Sequence, residues 1–136
     1  MSKKRTMIFV VDDDLSVRKA LKRLLSSAGY EVVTFGSAEE VLTSGWAEPP
    51  GVFVIDVRMP GLSGLELQRA LAASGSRTPV IFITAHQDDQ ARTLAGKAGA
   101  VAYLEKPMDE QILLEAIRDG LKRQTFHAAE VEHLGQ

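Results

Sequence analysis

Acidic, hydroxyl and ammonium side chains stand at the ends of the apolar segments of this sequence. In chain order they are Asp12, Asp13, Asp56, Thr84 and Lys106. If each apolar segment is a strand of one parallel sheet, these side chains meet, because the carboxyl ends of parallel strands share one edge. Ligands of open parallel sheets bind outside that edge. The spacing therefore predicts a single site built from several distant parts of the chain.

The side chains at this edge suit phosphoryl transfer. Carboxylates that meet repel each other, and a divalent cation held by carboxylates, a carbonyl and water, as is typical of Mg²⁺, relieves the repulsion. Asp56 ends its apolar segment alone and is best placed to act as a nucleophile that forms an aspartyl phosphate. Thr84 would donate a hydrogen bond to a phosphoryl oxygen, and Lys106 would neutralise its charge. Positioning and charge do most of the catalysis in such sites.

Each of these residues taken alone also has a structural explanation. An aspartate after a strand often caps a helix, as Asp14 is predicted to do. Thr84 alone suits a turn, Lys106 alone suits a solvated surface, and Tyr103 alone suits the core. The combination at four strand ends is more specific than any one member.

The segments that must position these residues are continuous apolar runs rich in β-branched and aromatic residues, which favour strands buried on both faces. They are Met7–Val11, Val52–Ile55, Val80–Ile83 and Val101–Leu104. Glu31–Phe35 is more mixed and predicts a strand nearer the edge of the sheet.

Helical patterns alternate with the strands. They begin after Asp14, Ser37, Ser63, Asp88 and Asp109. Ser63 and Glu66 form a predicted capping box, whereas the fourth pattern carries Leu94 as its one large apolar residue. Five strand–helix units predict an α/β fold, a doubly wound parallel sheet with helices on both faces. They use residues 1–123 as one domain and leave 124–136 as a frayed helix, tail or linker.

Composition narrows the functional classes. The chain has 136 residues, a net charge of -2 and no cysteine. These values disfavour direct nucleic-acid binding by this chain and exclude disulfides, zinc thiolates and cysteine nucleophiles. Neither a signal peptide nor a membrane span is predicted, because the first apolar run is too short. A cytoplasmic protein without membrane contact is therefore expected.

Taken together, the motifs resemble the receiver domain of two-component response regulators. The residues that carry the resemblance are Val10–Asp13, Asp56–Gly61 followed by Gly64, Thr84–Ala85 and Lys106–Pro107. The resemblance covers about residues 6–123. It implies the flavodoxin-like receiver fold with strand order 2-1-3-4-5.

The resemblance also implies the parts of the phosphoacceptor site. Asp56 matches the phosphoacceptor, and Asp12 and Asp13 match the acidic pair that holds Mg²⁺ or Mn²⁺. The backbone carbonyl of Arg58 matches a further metal ligand. A sensor histidine kinase is the implied phosphoryl donor.

Further roles are implied for residues around that site. Thr84 matches the hydroxyl that contacts the phosphoryl group, and Tyr103 matches the aromatic switch residue. Lys106 matches the family lysine, and its bond to Pro107 is typically cis. His86 occupies a position that, like that of Arg58, flanks the path of the hydrolytic water, so both are expected to tune the phosphoryl lifetime.

The expected function is a phosphorylation-controlled switch that catalyses its own phosphorylation and dephosphorylation and is not otherwise an enzyme. It would signal, and dimerise, through the face of the fourth helix, fifth strand and fifth helix. Two alternatives stay open: a single-domain regulator acting by protein contact, or the receiver of a longer DNA-binding regulator whose output domain is absent from this chain. An aspartate-nucleophile phosphatase is disfavoured, because Arg58 stands where such enzymes carry a second acidic residue.

Overall fold

Five parallel strands form one sheet in the order β2-β1-β3-β4-β5. In this computed structural model the described residues are 6–46 and 48–134, with side chains described as far as 123. The strands are β1 (Met7–Val11), β2 (Glu31–Phe35), β3 (Val52–Asp56), β4 (Val80–Thr84) and β5 (Ala102–Glu105). The predicted doubly wound fold and its strand order are therefore confirmed.

Five helices alternate with the strands in the described part of the chain. They are α1 (Leu15–Ser27), α2 (Ala38–Thr43), α3 (Gly64–Ala73), α4 (Asp89–Lys97) and α5 (Glu110–Leu134). Asp14 caps α1 by accepting from the Ser16 N–H, and Ser63 and Glu66 form the complete capping box of α3. These side chains satisfy N–H groups that have no partner within the helix, which is why the helices begin where sequence patterns place them.

The three central strands are buried along almost their whole length, and two apolar cores lie on opposite faces of the sheet. Phe9, Phe53 and Phe82 are among the side chains of one core, and Ile8, Leu25 and Ile117 are among those of the other. Since side chains alternate along a strand, a strand covered on both faces must be apolar at every position. Polar residues are thus confined to the strand ends.

The last strand differs from its prediction. β5 begins at Ala102, since register pairs Ala102 with Ile81, and Val101 precedes it with its N–H bonded to the Val80 carbonyl. It lies at an edge of the sheet, and its residues are half-buried or exposed rather than buried on both faces. An edge strand has a neighbour on one side only, which explains this exposure.

For helices α4 and α5, the structure adds details that the sequence patterns do not give. The buried residues of α4 are Ala91 and Ala95, and its one large apolar side chain, Leu94, is 40% exposed. The backbone of the predicted tail is helical as far as Leu134, as the continuation of α5. Residues 135 and 136 lie outside the described part of the chain.

Among the described residues, no helix combines the length and apolar character required to cross a membrane.

Candidate phosphoacceptor site

Three polar residues are buried among the described side chains, and all three stand at the carboxyl edge of the sheet. Asp12 is 0% exposed, Thr84 is 1% exposed and Asp56 is 5% exposed. Asp56 and Thr84 end β3 and β4, and Asp12 follows β1 directly. Burying an ionisable group is costly unless it is paired or coordinates a metal ion, so two buried aspartates at one edge of the sheet indicate a functional site.

The carboxylates come together as the sequence predicts. One oxygen each of Asp12, Asp13 and Asp56 lies within 4.8 Å of the others. Asp13 is exposed, so the cluster opens to solvent on that side. An acidic group of this composition could hold a metal ion, because three carboxylates in so small a space lower their mutual repulsion by sharing a cation.

Lys106 supplies the positive charge next to the cluster. Its Nζ donates to Asp12 Oδ2 at 2.8 Å and lies 3.6 Å from Asp56 Oδ2. The Lys106 side chain is 17% exposed, so both ion pairs are shielded from water. The peptide bond from Lys106 to Pro107 is cis.

Burial is the main reason that the pKa of Asp56 rises from 3.8 to about 6. The negative charge of Asp12 adds to this rise, whereas the Lys106 ammonium and the Arg58 N–H oppose it. Burial alone would lower the pKa of Lys106, but the hydrogen bond and charges of Asp12 and Asp56 raise it overall. Three carboxylates, those of Asp12, Asp13 and Asp56, thus lie near the one ammonium of Lys106, so among these four groups negative charge is in excess.

The loop after β3 is held tightly against the site. Gly64 donates its N–H to the Val57 carbonyl at 2.8 Å, and a Cβ atom at Gly64 would overlap the Asp56 carbonyl oxygen. Glu39 of α2 accepts a hydrogen bond from the Leu62 N–H at 3.2 Å. The close approach at Gly64 explains why a glycine stands there: without a Cβ atom, α3 can begin against the backbone of Asp56.

Thr84 and Tyr103 lie close together on neighbouring strands. The Thr84 hydroxyl donates to the His86 carbonyl at 3.2 Å and accepts from the His86 N–H at 3.1 Å. The Tyr103 hydroxyl is buried and has no hydrogen-bond partner among the described residues. Burial, and after it the negative charge of Asp88, raises the pKa of Tyr103.

Three contacts near this site have no signature in the sequence. Arg58 pairs with Asp88 at 3.2 Å, and Arg92 of α4 lies 4.8 Å above the centre of the Tyr103 ring. Arg92 also pairs with Glu105 at 3.4 Å. Arg58 itself is exposed, as is His86. The first contact joins residues thirty positions apart, so only the folded chain brings them together.

The chain matches the sequence profile of the response regulator receiver domain over residues 8–118. It is 47% identical over 113 residues to nodulation protein W of Bradyrhizobium diazoefficiens, and the aligned segment covers 83% of this chain and 50% of that protein. It is 43% identical over 122 residues to response regulator protein TodT of Pseudomonas putida, covering 90% of this chain and 54% of that protein. The chain thus spans about half the length of these curated relatives.

Solved structures of the same kind superpose closely on the fold. The response regulator StyR matches with a TM-score of 0.85 and 46% identity, covering 96% of this chain and 67% of that one. The structure titled FixJ-N matches with a TM-score of 0.80 and 38% identity, covering 88% of this chain and 96% of that one. With the buried acidic site at the expected sheet edge, these matches show that the chain belongs to the receiver domains of two-component response regulators, which act as signalling switches.

Proposed function

We propose that Asp56 accepts a phosphoryl group from a sensor histidine kinase in a reaction that requires Mg²⁺ or Mn²⁺. The observation that carries this proposal is that Asp56 is buried beside Asp12 and Lys106. One carboxylate oxygen each of Asp12, Asp13 and Asp56 lies within 4.8 Å of the other two. A carboxylate placed this way is surrounded by the charges that phosphoryl transfer needs.

In the proposed reaction, an Asp56 carboxylate oxygen bonds to phosphorus as the bond from phosphorus to the donor histidine nitrogen breaks. The electron pair of that bond stays on the nitrogen. Lys106 neutralises charge on the phosphoryl oxygens, and the Thr84 hydroxyl donates to one of them after it leaves His86. The chain thereby catalyses its own modification through positioning.

Asp12, Asp13 and Asp56, with the backbone carbonyl of Arg58, would hold the metal ion. When bound, the ion offsets the excess negative charge of the cluster and that of the incoming phosphoryl group. This assignment is supported by the excess of carboxylates over ammonium groups at the cluster.

The signal would leave through the face formed by α4, β5 and α5. Tyr103 lies on β5, the strand next to the one that Thr84 ends. In this proposal the Tyr103 ring would turn inward when the Thr84 hydroxyl moves towards the phosphoryl group. Arg92 of α4 lies on this face against Tyr103 and Glu105, and Ile112 of α5 is 51% exposed, which suits a surface that contacts a partner or a second copy of the chain. Relatives of this chain are named transcriptional regulatory proteins, so we propose transcription control as the output.

Arg58 and His86 would adjust how long the phosphoryl group survives. Both are exposed and lie two residues after Asp56 and Thr84 respectively. Replacement of both, as Arg58→Asn with His86→Glu, is expected to change the dephosphorylation rate. An unchanged rate would show that neither side chain reaches the hydrolytic water.

Intact-protein mass spectrometry tests the central proposal. Incubation with acetyl phosphate and Mg²⁺ should add one phosphoryl group to the wild type and none to Asp56→Asn. The matched control is Asp119→Asn, which removes an exposed charge on α5 and should retain the adduct. An adduct that survives in Asp56→Asn would refute Asp56 as the acceptor. Omission of the divalent ion should abolish the adduct as well.

A further inference from the structure

The backbone carbonyl of Asp12 is held by a side chain of the first helix. Arg18 lies near the start of α1, is half-buried, and donates from Nη1 to the Asp12 carbonyl oxygen at 2.7 Å. Hydrogen bonds from a charged donor are shorter and stronger than those between neutral groups. The guanidinium thus reaches the backbone of the acidic cluster rather than one of its carboxylates.

This bond completes the set of contacts that fix Asp12. The Asp12 N–H donates to the Phe35 carbonyl at 3.1 Å. Its Oδ1 accepts from the Asp14 N–H at 2.9 Å, and its Oδ2 accepts from Lys106 Nζ at 2.8 Å. With the bond from Arg18, each polar group of this fully buried residue has a partner. A residue held at all of these points has little freedom to turn.

The Arg18 bond acts on the peptide unit that joins Asp12 to Asp13. Because a peptide unit is planar, the direction of the Asp12 carbonyl also fixes the direction of the Asp13 N–H. Asp13 is exposed, so the position of its carboxylate at the cluster depends on the backbone that carries it. Arg18 is therefore placed to orient both acidic residues at once.

The turn after β2 also contacts this guanidinium. A Cβ atom at Gly36 would lie 3.3 Å from Arg18 Nη1. The Gly36 N–H donates to Glu40 Oε2 at 2.7 Å, which fixes the turn to the start of α2. Arg18 Nη1 thus contacts both the Asp12 carbonyl and a turn that is itself anchored.

We propose that Arg18 is a positioning residue that holds the Asp12–Asp13 peptide unit in the orientation in which the two carboxylates bind Mg²⁺. This inference rests on the proposed function, in which Asp12, Asp13 and Asp56 hold that ion. Arg18 is a cation and does not bind the ion itself; it acts through the backbone of the ligands. Groups that orient metal ligands in this way contribute strongly to metal affinity.

Geometry and charge lead to opposite predictions for the loss of Arg18. Removal of a positive charge near the carboxylates would by itself strengthen the binding of every divalent cation. Loss of orientation would weaken binding, and would weaken that of Mg²⁺ more than that of Ca²⁺. The reason is that Mg²⁺ requires near-ideal octahedral geometry, whereas Ca²⁺ accepts flexible arrangements. The ratio of the two affinities therefore separates positioning from charge.

The experiment measures the Mg²⁺ and Ca²⁺ dissociation constants of the whole chain by calorimetry. Arg18→Met should weaken Mg²⁺ binding about tenfold, the low end of the losses seen for groups that orient ligands. It should weaken Ca²⁺ binding by a clearly smaller factor. Lys19→Met is the matched control, since it removes an exposed cation at the next position of the same helix and should keep the wild-type ratio.

Urea denaturation in EDTA checks that the variants are folded. This is expected, because Leu21 and Leu25 still anchor α1 in the core. Arg18→Gln, which is shorter and uncharged, provides the same comparison of the two ions and should shift the ratio in the same direction.

Three results would overturn the role of Arg18. These are Mg²⁺ binding in Arg18→Met that is as tight as in the wild type or tighter, an equal loss of affinity for both ions, and the same change of ratio in Lys19→Met. The second would indicate a general loss of the site rather than of its geometry. By contrast, a wild-type chain that binds neither ion would refute the proposed metal site itself, and this inference with it.

Discussion

Replacing Asp56 by asparagine should make the domain more stable at neutral pH, because it removes a charge that the fold disfavours. The pKa of Asp56 rises from 3.8 to about 6 in the folded chain. One pH unit corresponds to about 1.4 kcal/mol, so the ionised carboxylate costs about 3 kcal/mol of folding free energy above pH 6. For a chain of this size, that difference corresponds to roughly 10 °C in Tm.

The sign of the effect fixes its dependence on pH. Between about pH 4 and pH 6 the folded wild type binds a proton at Asp56 that the unfolded chain has released. The stability contributed by that proton is therefore lost as pH rises through this range. The asparagine side chain of the Asp56→Asn variant does not titrate, so this position causes no loss of folding stability in the variant over the same pH range. The advantage of the variant should be near zero at pH 4 and complete by pH 7.

Urea denaturation in EDTA, followed by circular dichroism from pH 4 to pH 8, measures this difference. The denaturation midpoint of Asp56→Asn should exceed that of the wild type at pH 7, with an unchanged slope. Asp119→Asn, which removes an exposed charge on α5, provides the baseline for losing one negative charge. A variant no more stable than Asp119→Asn at pH 7, or an advantage that does not grow with pH, would refute the reasoning.

Three other perturbations follow from the same geometry. Gly64→Ala places a Cβ atom against the Asp56 carbonyl and should cost about 1–3 kcal/mol in urea denaturation. Gly96→Ala, which meets nothing within 4 Å, should instead gain about 0.5–1 kcal/mol, and equal effects would contradict the packing argument. Lys106→Met leaves the fully buried Asp12 without its ion-pair partner and should cost about 3–5 kcal/mol without divalent ions, so a wild-type midpoint would argue against the pair. Mg²⁺ at about 100 times its Kd should stabilise the wild type by about 2.7 kcal/mol, and Asp12→Asn should respond less; an Mg²⁺-insensitive wild type would exclude the proposed metal site.

The central strands and their polar ends could be predicted because both follow from local sequence. Val52–Ile55 is apolar at every position, and a strand with both faces covered has no place for a polar residue until it ends. Parallel pairing then brings Asp56 beside the end of β1 without further information. The caps at Asp14 and Ser63 were equally local, since each side chain bonds a backbone N–H within three residues.

The rest depends on contacts between distant residues. Nothing near Arg58 in the sequence indicates that its partner is Asp88, thirty residues away. The exposure of Leu94 was also unpredictable, because one large side chain among small ones does not define which side of a helix faces the sheet. The half-buried state of β5 follows from its place at the sheet edge, which an apolar run alone does not reveal.

Two features suit this domain to act as a switch: the excess of negative charge at the acidic site, and the light packing of helix α4 against the sheet. The site holds more negative than positive charge in the unmodified chain, so a phosphoryl group and its cation change the local balance sharply. Helix α4 buries only alanines among its described residues, whereas α1 buries Leu21 and Leu25. Each leucine contributes about 2 kcal/mol more than an alanine, at about 0.8 kcal/mol per buried carbon. Helix α4 is therefore among the elements of this fold that cost little to move, and Asp88, which caps it, forms an ion pair with Arg58 in the loop after Asp56.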